Sequence, residues 1–173
     1  MNTSFDPLHL VNTYGAFGSV GRERREIVFE GTADSVVTDA TRWLAYEFPY
    51  KPGDPKRRPG FCSPYQPRLD WAIWFAAMST PSRYPWTLHF VWKLLHNDAG
   101  TLSLLAGNPF PDAPPRFVRA VLYRYEFARP GDASGAWWKR ERLGLWLPPL
   151  SADHPTLRRI IEEQGWAEPP AGS

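Results

Sequence analysis

The segment Arg68-Leu69-Asp70-Trp71 sets a guanidinium, a carboxylate and an indole side by side, where a proline-rich stretch gives way to a helical pattern. As a polar site, Arg68 or Asp70 would hold a charged or hydrogen-bonding group. The plainer reading has Asp70 capping the helix that starts there and Arg68 paired with a carboxylate or a loop carbonyl. An arginine next to a tryptophan is also the composition of an interface hot spot. Arg57-Arg58, a little earlier, could dock an acidic surface or simply be solvated. Trp137-Trp138, followed by Lys139-Arg140 and Arg142, could stack on a ligand. Strand neighbours face opposite ways, so one of the two indoles belongs in the core and the other at the surface, where a partner could cover it.

Catalytic spacing is harder to find. Cys62 is the one cysteine, so no intrachain disulfide forms. As a nucleophile it would need a histidine and an orienting group brought to it by the fold. His9, His89, His96 and His154 are spread along the chain without thiolate or carboxylate company at metal-binding spacing. There is no nucleophile elbow, phosphate loop or dinucleotide fingerprint. No catalytic residue, metal or cofactor is therefore assigned. An enzyme would have to gather Asp70, Arg68, His89 or Cys62 in one pocket.

The elements that position these residues follow from periodicity. Residues 8–14 read as a strand, and Gly15, Gly18 and Gly21 mark a loop. Glu26 to Glu30 reads as a strand stopped by Gly31. Trp43 to Tyr50 alternates, with Leu44, Tyr46, Phe48 and Tyr50 on one face of a half-buried strand. Residues 51–67 are a long loop rich in proline, whose aromatics Phe61 and Tyr65 argue for order. Helical spacing predicts a helix over 70–79. A second runs from Pro85 to about His96, and a short third one covers 102–105. Arg116 to Phe127 is the clearest strand, with Phe117, Val121, Tyr123, Tyr125 and Phe127 on one face and Arg124 and Glu126 on the other. Trp137 to Leu147 pairs back onto it as a hairpin ended by Pro148-Pro149. His154 to Gln164 closes the chain as a helix, and residues 168–173 read as a disordered tail. Strands, then helices, then strands and a last helix argue for one α+β domain over 1–167. The expectation is an antiparallel sheet or β-sandwich with a central helical insertion.

Composition narrows the function. Nine Trp, ten Phe, seven Tyr and nineteen Pro stand in 173 residues, while the net charge is only +2. Aromatics supply contact area at interfaces as well as in cores. A nucleic-acid binder usually carries a stronger or more clustered basic excess, so no nucleic-acid partner is expected. No apolar run approaches the roughly 20 residues that span a bilayer, and the start lacks a signal-peptide pattern. A soluble domain is expected.

The chain also resembles the lipase maturation factor family. The resemblance begins at Val11-Asn12-Thr13-Tyr14-Gly15-Ala16-Phe17-Gly18-Ser19 and runs through Glu26 to Ala33, Tyr46-Glu47-Phe48 and Lys51-Pro52-Gly53-Asp54-Pro55. Its most specific stretch is Ser63-Pro64-Tyr65, Arg68-Leu69-Asp70-Trp71 and Trp74-Phe75-Ala76-Ala77. Leu102 to Leu105, Asn108-Pro109-Phe110, Pro114-Pro115-Arg116, Tyr123-Arg124-Tyr125, Trp137-Trp138 and Pro148-Pro149-Leu150-Ser151 continue it in order. Family members are multi-pass membrane proteins. Eukaryotic ones sit in the endoplasmic reticulum membrane and help dimeric secreted lipases reach an active state. The resemblance implies that this chain corresponds to the soluble C-terminal region that contacts the client, after a membrane-spanning part (in the cell membrane if the source is bacterial).

The expected function is then a non-catalytic, chaperone-like client-binding domain, its partner a lipase or another secreted protein. The alternative is a carbohydrate-binding β-sandwich, which would stack sugars on exposed rings. The candidate binding residues form two groups. Arg58, Tyr65, Arg68, Asp70, Trp71 and Trp74 lie at the junction of the proline loop with the helix. Tyr123, Tyr125, Trp137 and Trp138 lie on the hairpin.

Overall fold

The computed structural model describes residues 23–62, 64–129 and 131–166. The strand expected over 8–14, the glycine loop after it and the tail at 168–173 lie outside the described residues. Four strands form one open antiparallel sheet: β1 Arg24–Thr32, β2 Leu44–Ala45, β3 Phe117–Phe127 and β4 Trp138–Leu150, in the order β2-β1-β3-β4. Helices α1 Arg68–Ala76, α2 Trp86–Leu94 and α3 Ala99–Leu102 are inserted between β2 and β3, and α4 Pro155–Glu163 follows β4. This is the expected α+β class with a central helical insertion and a C-terminal helix. The described strands make a single sheet and no second layer of strands.

The core lies between that sheet and the helices. Ile27 and Phe29 of β1 and Val118 and Ala120 of β3 meet Ile73 and Ala76 of α1 and Phe90, Val91 and Leu94 of α2. The Phe29 and Phe90 rings touch edge to face at 5.0 Å. Leu157 and Ile161 of α4, four residues apart on one stripe, bury against the same cluster.

Several expectations are corrected. Gly31 does not stop β1; it lies within the strand opposite Val118. A Cβ there would stand 2.6 Å from Cε2 of the buried Phe110 ring. The glycine admits close packing rather than a turn. Only Leu44–Ala45 of the expected 43–50 strand pair in the sheet. Tyr46 and Phe48 still bury in the core, while Tyr50 is exposed. β3 is buried on both faces at its middle, where the neighbours Ala120 and Val121 are both inaccessible, while Phe117 and Arg119 before them are half-buried. β4 runs on through Pro148-Pro149 to Leu150. It is an edge strand, where a residue without an N–H does no harm. Val118 faces Leu150 while Ala120 faces Leu147, so the prolines sit in a bulge. The third helix starts earlier than expected, because Asp98 caps it: its Oδ1 accepts from the Thr101 N–H and hydroxyl, each at 2.8 Å.

Candidate functional site

The 51–62 segment is held from underneath by buried charge. Asp70 lies in the first turn of α1 and caps nothing there; the residue before the helix is Pro67, with no side-chain cap. Its Oδ2 accepts the backbone N–H groups of Tyr50 and Lys51, each at 2.9 Å. The Lys51 ammonium, almost fully buried, donates to the Ile27 carbonyl at 2.7 Å. It also lies 3.3 Å from Glu26 Oε2, an ion pair without hydrogen-bond geometry. The other Glu26 oxygen accepts from Arg24 Nε at 2.6 Å. Arg57 donates to the carbonyls of Phe48, at 2.6 Å, and Lys51. Buried charges persist where partners satisfy them, and here those contacts tie Lys51, at the start of the loop, to β1 and α1.

The hairpin grips the same loop from the other side. The Tyr125 hydroxyl donates to the Gly53 carbonyl at 2.7 Å. Burial pushes its pKa up to about 12, so it stays a donor. The Trp137 and Trp138 N–H groups both donate to the Pro55 carbonyl, at 2.9 and 3.1 Å. Trp138 Nε1 reaches the Arg57 carbonyl at 3.2 Å. The expected division of the two indoles holds: Trp138 is 7 % exposed and Trp137 is 45 % exposed. Trp138 stacks on Phe127 at 4.5 Å, and Phe127 is itself 71 % exposed. The Arg58 guanidinium stands 5.4 Å over the Trp137 ring.

Between loop and hairpin runs an open groove of about 710 Å³, lined by Pro59, Phe127, Ala128, Arg129, Asp132, Ala136 and Trp137 among others. Asp132 is engaged by its own loop. The Ser134 hydroxyl and N–H, together with Lys139, hold its carboxyl down at about 2.

The candidate residues thus separate. Arg58, Trp137, Trp138, Tyr125 and Tyr123 gather where the loop meets the hairpin, Tyr123 lying 4.8 Å under Arg140. Trp71 and Trp74 make a second cluster on α1 with Phe75, at centroid distances of 5.2–5.5 Å, and Arg24 lies 5.7 Å over Trp74. Tyr65 is 88 % exposed. Arg68 lines a smaller apolar groove of about 410 Å³ with Pro67, Leu69, Ala72, Trp86 and Leu104. Asp70 is buried, and its place is as a support of the loop. Sequence reasoning missed Phe127, Pro59 and Arg129. Phe127 was expected on the apolar strand face; it is the last residue of β3, and its ring is largely exposed.

Asp70 holds amides, Arg68 is at the surface, and His89 of α2 stacks on Trp166 at 4.6 Å. No hydrogen bond or ion pair joins them among the described residues. Nor is there among those residues a group of three or more His, Cys, Asp or Glu placed to hold a metal. The near-parallel ring pairs, Phe127–Trp138 and His89–Trp166, each have a buried or half-buried member rather than forming a flat exposed platform.

Fold and loops together define an α+β domain that presents aromatic and arginine side chains from a pinned proline-rich segment and a hairpin connection. A family model described as the lipase maturation factor C-terminal domain matches residues 10–148. The chain is 52 % identical over 175 residues to lipase maturation factor 1 of Homo sapiens, covering 98 % of this chain and 30 % of that protein. To lipase maturation factor 1 of Mus musculus it is 48 % identical over 179 residues, covering 99 % and 31 %. To lipase maturation factor 2 of Mus musculus it is 38 % identical over 170 residues, covering 94 % and 23 %. No solved structure matches. The chain belongs to the lipase maturation factor family. It spans less than a third of the length of these relatives.

Proposed function

We propose that this chain is the client-binding, non-catalytic C-terminal domain of a membrane-anchored lipase maturation factor. It assists folding or assembly of secreted lipases, in eukaryotes inside the endoplasmic reticulum. The name of its relatives supports the lipase role, and one structural observation supports the binding role. Phe127, Trp137, Arg58 and Arg129 are offered to solvent by segments whose undersides are pinned through Asp70, Lys51, Tyr125 and Trp138. Exposed rings beside guanidinium groups on a rigid base suit a partner whose own apolar surface is not yet buried. Among the described residues no helix is long and apolar enough to cross a membrane. Anchoring would then belong to the rest of a longer protein.

The test is light scattering of a dimeric secreted lipase diluted from denaturant with and without the purified domain. Suppressed aggregation and a higher yield of active lipase are expected at near-equimolar domain. Unchanged scattering and yield, with no co-precipitation of domain and lipase, would end this reading.

A further inference from the structure

Resting on that client-binding reading, we propose that the groove between Pro59 and the β3–β4 connection seats a short unfolded segment of polypeptide in which an apolar side chain lies next to a carboxylate. Its walls are apolar: Pro59 on one side, Phe127, Ala128, Ala136 and Trp137 on the other. At about 710 Å³ it has room for several side chains. Its unpaired charge is positive. Arg129 lines it, and Arg58 stands beside it over the Trp137 ring; both are exposed and make no ion pair among the described residues. The acidic lining residue, Asp132, is held by Lys139 at 3.2 Å and by the Ser134 hydroxyl at 2.7 Å. A segment entering the groove therefore meets rings and unpaired cations, and its complement is an apolar anchor flanked by an anion.

The walls are set before anything binds. Ala128 donates to the Trp137 carbonyl at 2.9 Å, and Trp137 and Trp138 donate to Pro55. Little ordering of the walls remains to oppose binding. Gly131 and Gly135, at φ +80° and +66°, turn the connection with no atom within 4 Å of the Cβ position, so the mouth stays open. A sugar would find few hydrogen-bonding partners here, since Arg129 and the already engaged Asp132 are the charged lining groups.

The test titrates the intact chain into a fluorescein-labelled peptide of alternating aspartate and phenylalanine between glycine-serine ends, read by anisotropy. Two further peptides replace the aspartates by lysines or the phenylalanines by serines. Saturable binding of the first peptide is expected, with both controls about tenfold weaker or more. The paired Arg58→Glu and Arg129→Glu variant should lose about tenfold for the acidic peptide and recover the lysine peptide; Trp137→Ala should weaken both. Arg159→Glu on α4 should change nothing. The proposal is overturned if the lysine peptide binds as well as the acidic one, or if the paired variant keeps full affinity. It is also overturned if the chain sediments with phosphatidylserine vesicles while ignoring every peptide. Lipase scattering separates the two ideas. If wild type protects the lipase yet binds the acidic peptide no better than the controls, the groove fails and the client reading stands. If wild type binds the acidic peptide yet protects no lipase, the client reading fails and the groove stands.

Discussion

Asp70 illustrates how a residue that looks functional can act from beneath the surface. Its carboxylate is buried and takes the amides of Tyr50 and Lys51. Asp70→Ala leaves both amides without a partner. It should cost about 3 kcal/mol in urea unfolding, while Asp70→Asn, which keeps an acceptor, costs less than half of that. Lys51→Met poses the complementary question. It strips the almost fully buried Glu26 of its ammonium neighbour and leaves Arg24 as its ion-pair partner. A loss of about 3 kcal/mol is expected, because Glu26 Oε2, buried without a hydrogen-bond partner, loses the cation that faces it. Lys51→Met with Glu26→Gln should recover much of it in a double-mutant cycle.

Among the elements, β1 depends on one missing side chain. Gly31 brings the strand under Phe110 and Pro115, both at or inside 3.1 Å of the point where a methyl group would stand. Gly31→Ala should therefore destabilise the domain by about 2 kcal/mol by overpacking, read from the urea midpoint at unchanged m-value. The same change at Gly107, where nothing lies within 4 Å, should be close to neutral. Beyond the end of helix α4, Trp166 stacks on His89 of α2. Burial, then the nearby Lys93, hold the His89 pKa below its ordinary 6.5, with Asp98 opposing. The unfolded chain binds that proton first as pH falls, so the folded state loses stability on descending through 6.5. His89→Phe keeps a ring for Trp166 and removes the titration. Its melting temperature should fall less than that of wild type between pH 7.5 and 5.5.

Across the molecule, the helices cover one face of the sheet, and the proline loop ties the end of that assembly to the hairpin. Tyr125, Trp138 and Arg57 make this tie through backbone carbonyls. Tyr125 and Tyr46 are both pushed above their ordinary 10.0 by burial. The unfolded chain ionises these phenols first, so stability should decline as pH rises beyond 10, and Tyr125→Phe should soften that decline at the cost of one hydrogen bond, about 1 kcal/mol at neutral pH. Comparing chemical unfolding of the two proteins at pH 8 and pH 10.5 checks it.

Much of this was legible in the residues. Helical spacing located α1, α2 and α4, because a buried stripe recurs every three or four residues whatever it packs against. The long alternation of 116–127 located β3, and the rule of opposite faces put one indole of Trp137-Trp138 in the core, though only the structure shows that it is Trp138. The ordered run of short motifs indicated the family. What neighbours decide was not legible. Gly31 reads as a stop until Phe110 is set above it, from far along the chain. Pro148-Pro149 reads as a strand end until β4 proves to be an edge. Asp70 reads as a cap or a ligand until Tyr50 and Lys51 arrive to take its oxygen. The groove needs Pro59 of the loop and Trp137 of the β3–β4 connection to come together, and no local pattern encodes a contact whose energy exists only once both segments are in place.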